Sequence, residues 1–302
     1  MRAARVARRW RPCVADRYQL AEGARWFDGR LFFVDLLRGA LYGCRESSGG
    51  RPEQILGLGM PLGAVAPAAV GRRRGWIVAA GVGIALTDGG GESEWLARPG
   101  GRAGRAMRMN DGACDPAGRF WAGSMEIHAA RDAGSLYRTD PDGTVHEVLD
   151  GLTVPNGPAF TADGRLMYLA DSARGTVTRY AADPVTGALG PPEPFAEFTL
   201  AEGRPDGMTV DDHGNLWVAL WGGGRVLCLG PDGKRLRTVR VPTPHVSSIA
   251  FGGGRMYVTT ALHRLERPGL LDGAVLTSVT AVTAPPALPF GPTRPAHAPA
   301  EP

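Results

Sequence analysis

Short runs of β-branched and aromatic residues, each opened by a turn carrying Asp or Gly, recur along the whole chain. The runs are FDGRLFFVD (27–35), GRRRGWIVAA (71–80), DPAGRFWAGS (115–124), ADGRLMYLAD (162–171), DDHGNLWVAL (211–220) and GGGRMYVTT (252–260). Their first apolar residues, Leu31, Trp76, Phe120, Leu166, Leu216 and Met256, stand 45, 44, 46, 50 and 40 residues apart. Within the units a further short strand follows each run after a turn: Ala40–Cys44, Gly83–Thr87, Ser135–Arg138, Thr176–Tyr180 and Gly224–Cys228. No segment carries the apolar stripe of a helix long enough for a βαβ crossover, which disfavours a parallel sheet. A β-solenoid would use shorter, differently glycine-patterned repeats. Repeats of about 45 residues built from short strands predict an all-β fold, a six-bladed β-propeller of four-stranded antiparallel blades around a central channel. The propeller is expected over residues 16–284, with a frayed basic arm at 1–15 and a proline-rich, disordered tail at 285–302.

Equivalent positions of different blades surround one axis. Ten residues before the anchors stand Ala66, Asn110, Asn156, Asp206 and Val246, and nine before the first stands Glu22. Four of these six carry side-chain oxygen, and each of the four precedes a glycine directly or after one residue. Singly, such pairs are turn signals. In register they predict a ring of two acids and two amides at one end of the channel. Carboxylates brought together raise one another's pKa unless a cation lies between them. An all-oxygen set suits a hard divalent ion such as calcium, and the lack of histidine at these positions argues against a nitrogen site of the zinc type. Arg108 alternates with Asn110 through Met109, so on a strand both point to one side, where a guanidinium suits a polar or anionic ligand.

Composition narrows the partners. The 302 residues are 43% hydrophobic, enough for a large core, and 44 Gly with 25 Pro fit a fold of many turns. The net charge of +4 comes from 34 Lys and Arg against 30 Asp and Glu spread along the chain. Only the N-terminal arm and Arg72-Arg73-Arg74 cluster, without interleaved aromatics, so no nucleic-acid partner is expected. No stretch approaches the length of a membrane span, and the first residues lack the apolar core of a secretory signal. Cys13, Cys44, Cys114 and Cys228 make no CxxC pair and are expected as thiols in a reducing cytoplasm. Ser124, in AGSME, fails the G-x-S-x-G elbow, which disfavours an acyl-enzyme.

The runs AEGARWFDGRLFFVDL, RMNDGACDPAGRFWAGSM, VPNGPAFTADGRLMYLADS, RPDGMTVDDHGNLWVALWGGGRV and SSIAFGGGRMYVTTA stand in order along the chain. Over roughly residues 16–290 the chain resembles the gluconolactonase, regucalcin (senescence marker protein) and luciferin-regenerating-enzyme family of six-bladed propellers. The resemblance implies one divalent cation held by Glu22, Asn156 and Asp206. Calcium is the first expectation, and zinc, manganese, magnesium and iron(II) are admitted. It implies that Arg108 and Asn110 contact substrate, with Asn110 able to reach the metal through water. Asp206 would serve as both ligand and proton acceptor, and Asp171 would support the site from behind. Where family members place a sugar-contacting glutamate, this chain has GSMEIH, so Glu126 and His128 both stand as candidates. The stretch ALHRLERPGL (261–270) is trimmed relative to the usual lid and is expected to leave the mouth more open. The expected function is metal-dependent hydrolysis of a sugar-acid lactone, a small-molecule partner, with no obligate protein partner evident. The alternatives are an aryl-ester or organophosphate hydrolase on the same metal, and a calcium-binding regulator or ligand sensor without turnover.

Overall fold

The computed structural model describes residues 10–45, 51–70, 73–90, 92–101 and 104–292. The first strand, β1 (Arg11–Arg17), belongs to the last blade. Blade 1 is β2 (Ala21–Phe27), β3 (Arg30–Asp35), β4 (Ala40–Arg45) and β5 (Glu53–Gly57). Blade 2 is β6 (Leu62–Val70), β7 (Arg73–Ala80), β8 (Gly83–Thr87) and β9 (Glu94–Ala97). Blade 3 is β10 (Met107–Cys114), β11 (Phe120–Glu126), β12 (Gly134–Thr139) and β13 (Val145–Leu152). Blade 4 is β14 (Pro155–Phe160), β15 (Leu166–Asp171), β16 (Thr176–Ala182) and β17 (Leu189–Glu197). Blade 5 is β18 (Arg204–Val210), β19 (Leu216–Trp221), β20 (Arg225–Leu229) and β21 (Arg235–Arg240). Blade 6 is β22 (Val246–Gly252), β23 (Arg255–Thr260), β24 (Ala274–Val279) and, outermost, β1. Every pairing within a blade is antiparallel, and the inner strands β2, β6, β10, β14, β18 and β22 touch in succession to close a six-bladed propeller.

Middle strands do not alternate apolar with polar. Every residue of β11 and of β23 is buried, because each blade is packed on both faces by its neighbours. The core is accordingly divided into six clusters, one at each blade interface. Trp121 and Leu136 of blade 3 meet Met167 and Leu169 of blade 4, and Trp217 and Val226 of blade 5 meet Ile249 and Met256 of blade 6. Two turns repeat one device. Asp115 accepts from the backbone of Ala117 and Arg119 and from Trp121 Nε1 at 3.0 Å. Asp211 accepts from His213 and Asn215 and from Trp217 Nε1 at 2.9 Å. The carboxylate closes the turn and satisfies a buried indole, which is why an Asp opens these runs.

Both chain ends depart from expectation. Residues 11–15 of the arm are not frayed: β1 pairs with β24 and buries Cys13 and Val14 at the joint between blades 6 and 1. Cys13 Sγ lies 3.8 Å from Cys44 Sγ, and all four cysteines are reduced. Residues 285–292 lie against the floor of the ring, where Ala287 N donates to Trp26 O, Phe290 N to Pro67 O and Gly291 N to Gly118 O. Backbone bonds and the burial of Phe290 hold this strap, and neither reads in a proline count. The arm residues 1–9, the tail residues 293–302 and Arg72 of the basic cluster lie outside the described residues. Arg74 pairs with the exposed Asp28 at 3.5 Å. Among the described residues no helix is long and apolar enough to cross a membrane.

Candidate active site

Each inner strand starts at the same end of the channel, its mouth. Just inside the mouth, all six blades break the register between inner strand and neighbour. The breaks fall between Glu22 and Arg25, Leu62 and Ala64, Met109 and Gly112, Asn156 and Ala159, Pro205 and Met208, and Val246 and Ser248. A bulge frees one or two residues from the pairing and re-aims their side chains. Glycine serves this in two ways. Gly157 adopts φ +83°, and Gly63 lets β6 approach so closely that a Cβ there would sit 2.3 Å from Asn110 O. The breaks correct the phase in two blades: Gly63 and Ser247, not Ala66 and Val246, stand at ring level. The strands β6 and β7 are long, so the ten-residue offset slips there.

Glu22, Asn110, Asn156 and Asp206 are all buried, and a continuous hydrogen-bonded chain joins most of them. Arg108 Nη1 donates to Asn110 Oδ1 at 2.6 Å, and Asn110 Nδ2 donates to Asn156 Oδ1 at 2.9 Å and to Pro155 O at 2.7 Å. Asn156 Nδ2 donates to Ser172 Oγ at 2.7 Å, and Ser172 Oγ donates to the carbonyl of Pro205, the neighbour of Asp206, at 2.5 Å. Both carboxamides are thereby fixed in orientation. Ser247 Oγ donates to Ala21 O at 2.5 Å, latching blade 6 beside Glu22. One level deeper, Asp111 accepts from Gly157 N at 3.0 Å and faces Arg25 at 3.4 Å. Ser172, Ser247, Asp111 and Arg25 were not singled out from the sequence. Their signal, a Ser after LAD and an Asp beside the ring Asn, is visible only once blades are placed side by side.

The electrostatics show what the ring lacks. Burial, reinforced by Asp111 and Asp35 and only partly offset by Arg108, pushes Glu22 up to about 8. Burial, then the charges of Glu22 and Asp111, hold Asp206 well above the usual carboxylate range, against a hydrogen bond from Gly207 and the charge of Arg108. Glu22 Oε2 is buried with no hydrogen-bond partner. Two buried, raised carboxyls, Asp206 raised in part by the charge of Glu22 and Glu22 carrying an orphaned oxygen, beside an oriented carboxamide oxygen, fit a hard divalent cation. Among the described residues no group of three or more His, Cys, Asp or Glu is placed to hold a metal, so an ion here would lean on carboxamide as well as carboxylate oxygen.

The remaining expected residues fall around this ring. Asp171 accepts from Thr153 N at 2.9 Å and Val154 N at 3.1 Å and pairs with Arg174 at 3.3 Å, bracing the approach to Asn156. Asp35 braces the approach to Glu22 in the same way, through Gln19 N and Leu20 N. Glu126 is buried at the mouth end of β11, and its Oε2 accepts from His128 N and Ala130 N. His128 itself is exposed.

Residues 20–262 match the family described as the SMP-30/Gluconolactonase/LRE-like region. The chain is 34% identical to regucalcin of Gallus gallus over 85% of this chain and 89% of that protein. It is 46% identical to the pentonolactonase XacC of Haloferax volcanii over 51% of this chain. The alignments to lactonase-named relatives span about half of those proteins, 56% and 53%. Among solved structures, a calcium-binding protein, regucalcin, from Agrobacterium tumefaciens superposes with a TM-score of 0.83 at 26% identity, covering 94% of this chain and 97% of that one.

Proposed function

The chain belongs to the SMP-30/gluconolactonase/LRE-like family, and from that premise we propose that it hydrolyses a sugar-acid lactone at the channel mouth with one divalent cation. Glu22, Asn156 and Asp206 would hold the ion, with calcium favoured by the all-oxygen set and by the calcium-binding relative. When bound, the ion supplies a Lewis acid for the ester carbonyl and a water of lowered pKa. Arg108 and Asn110, already locked to each other, position the ring hydroxyls, so attack becomes a held, near-unimolecular event. Asp206, buried in the ring, would take up the proton leaving the attacking water. The water oxygen bonds to the carbonyl carbon, the carbon–ring-oxygen bond breaks, and the proton held at Asp206 passes to the departing alkoxide. Glu126 offers its second carboxylate oxygen to substrate, and exposed His128 stands farther out. Four cysteines outside any disulfide fit the reducing cytoplasm as the place of this reaction.

The observation that carries this reading is the orphaned Glu22 oxygen inside a ring that also holds Asp206 and an oriented Asn156. Its test is turnover of glucono- and xylono-lactones by metal-stripped protein given calcium, zinc, manganese, magnesium or iron(II). Metal-dependent turnover that Asp206→Asn lowers by at least about 100-fold is expected. Tight metal binding without turnover of any lactone or ester would instead make the chain a calcium-binding regulator. Turnover of aryl esters or organophosphates alone would move the substrate class.

A further inference from the structure

The connection from β23 to β24, residues 261–273, is the longest at the mouth, against 36–39, 81–82, 127–133, 172–175 and 222–224 in the other blades. It does not stand away from the ring. Leu262 N donates to Tyr18 O at 3.2 Å and His263 N to Gln19 O at 2.8 Å, three residues before Glu22. His245 fastens it from the other side: its Nδ1 lies 3.0 Å from His263 O, and its ring stacks on Trp221 at 4.1 Å between centroids. With the loop so pinned, Arg264 adopts the left-handed region, at φ 63°, and is exposed. Blade 6, which carries Arg264, faces blade 3, which carries Arg108, across the six-membered ring. Yet Arg264 and His263 both come within electrostatic reach of Arg108. Arg264 therefore stands at the rim of the mouth, on a loop held beside the approach to Glu22.

Around the mouth, Arg108 lies within electrostatic reach of Glu22 and Asp206, the two carboxyls that a divalent ion would claim. In the occupied site a divalent ion is balanced by Glu22 and Asp206. Asp111 faces Arg25 at 3.4 Å, Asp35 faces Arg38 at 3.6 Å and Asp171 faces Arg174 at 3.3 Å. Glu126 is turned toward the backbone amides of His128 and Ala130. Among the described residues neither Arg108 nor Arg264 enters an ion pair. Burial and the nearby Arg264 and Arg108 hold His263 below its ordinary value, so it adds no charge at neutral pH. Two guanidinium groups converging on one opening repel unless an anion lies between them, and their planar forks suit carboxylate or phosphate.

Building on the lactonase reading, we propose that the mouth selects lactones carrying a second acidic group, a carboxylate or phosphate remote from the ester, held between Arg108 and Arg264. The inner end of such a substrate lies at the ring of Glu22, Asn156 and Asp206, and its charged end lies under the blade 6 loop. Arg264 is then a residue that sets specificity, and discrimination falls mainly in KM.

The matched probes are glucaro-1,4-lactone and glucono-1,4-lactone, which differ in a carboxylate for a hydroxymethyl. A phosphate arm compares 6-phosphoglucono-1,5-lactone with glucono-1,5-lactone. The expected result is a roughly tenfold preference in kcat/KM for the acidic member of at least one pair, collapsing toward one in Arg264→Gln. The arm that shows it names the acid. A second reading needs no turnover: calorimetric binding of the glucarate and 6-phosphogluconate anions, expected to weaken about tenfold in Arg264→Gln and with rising salt. Equal use of acidic and neutral lactones, or a preference untouched by Arg264→Gln, overturns this inference and leaves the lactonase standing. If no lactone is turned over, the lactonase reading fails alone, and anion binding with its dependence on Arg264 still decides the question.

Discussion

Replacing Ser172 with alanine tests whether the site is held together by the hydrogen-bonded chain across blades 3, 4 and 5. The hydroxyl is buried and satisfies two groups at once, accepting from Asn156 Nδ2 at 2.7 Å and donating to Pro205 O at 2.5 Å. Alanine fills nearly the same volume but leaves a buried amide hydrogen and a buried carbonyl unpaired, each at about 1–3 kcal/mol. Partial relaxation puts the sum near 3 kcal/mol, which in a chain of this length lowers the melting temperature by about 5 °C. The functional effect is the sharper one. Asn156 loses the contact that keeps its Oδ1 turned toward the ring, and loss of such an orienting partner lowers metal affinity about 10–100-fold. Differential scanning calorimetry of metal-free protein reads the first quantity and calorimetric calcium titration the second. Ser172→Cys, a weaker donor and acceptor, is expected between wild type and alanine. An unchanged melting temperature together with unchanged calcium affinity in Ser172→Ala would refute the view that this chain orients the ligands.

Two further outcomes follow from charge and packing. With Glu22 raised to about 8 and Asp206 held above the usual carboxylate range, Glu22 carries a proton near neutrality and must release it to a cation. Metal affinity should rise with pH through about 8, and titrations in buffers of different ionisation enthalpy should show about one proton expelled per ion at pH 7; none expelled would count against the raised Glu22 carboxyl. Burial alone would raise Asp211, but hydrogen bonds from Trp217, Asn215 and His213 outweigh it and hold its carboxyl below the ordinary value. Its stabilising contribution is therefore complete at neutral pH and is lost as pH falls below about 4 toward that lowered value. Asp211→Ala should cost about 3 kcal/mol in urea unfolding at pH 7 and a smaller amount under acid, whereas a cost below about 1 kcal/mol at pH 7 would show the turn to be dispensable.

How far such features could be read from the chain alone depended on whether they repeat in phase. The third strands β4, β8 and β16 begin at Ala40, Gly83 and Thr176, where turn chemistry places them. Glu22, Asn110, Asn156 and Asp206 were legible as a set in phase because three blades keep one distance to the next strand and the first is shorter by a single residue. Blades 2 and 6 do not, so Ala66 and Val246 were set where Gly63 and Ser247 belong. Ser172 and Asp111 were invisible to phase, because their partners lie in neighbouring blades at sequence separations set by the closure of the ring. The arm and tail misled for a related reason. Charge and proline content describe side chains, whereas β1 and the strap at 285–292 are held largely by main-chain bonds, those of the strap donated by Ala287, Phe290 and Gly291 between its prolines.

The pairing of β1 with β24 has a consequence for biogenesis. On the ribosome, the first strand is made long before the only strand it bonds to. At about 5–20 residues per second it waits on the order of tens of seconds with its edge bare. Blades 1 to 5 can each collapse locally as they emerge, but the joint between blades 6 and 1 forms only once β24 has been made. The ring thus closes only after β24 has emerged, and the strand left waiting is where chaperone capture or exchange between neighbouring chains would act.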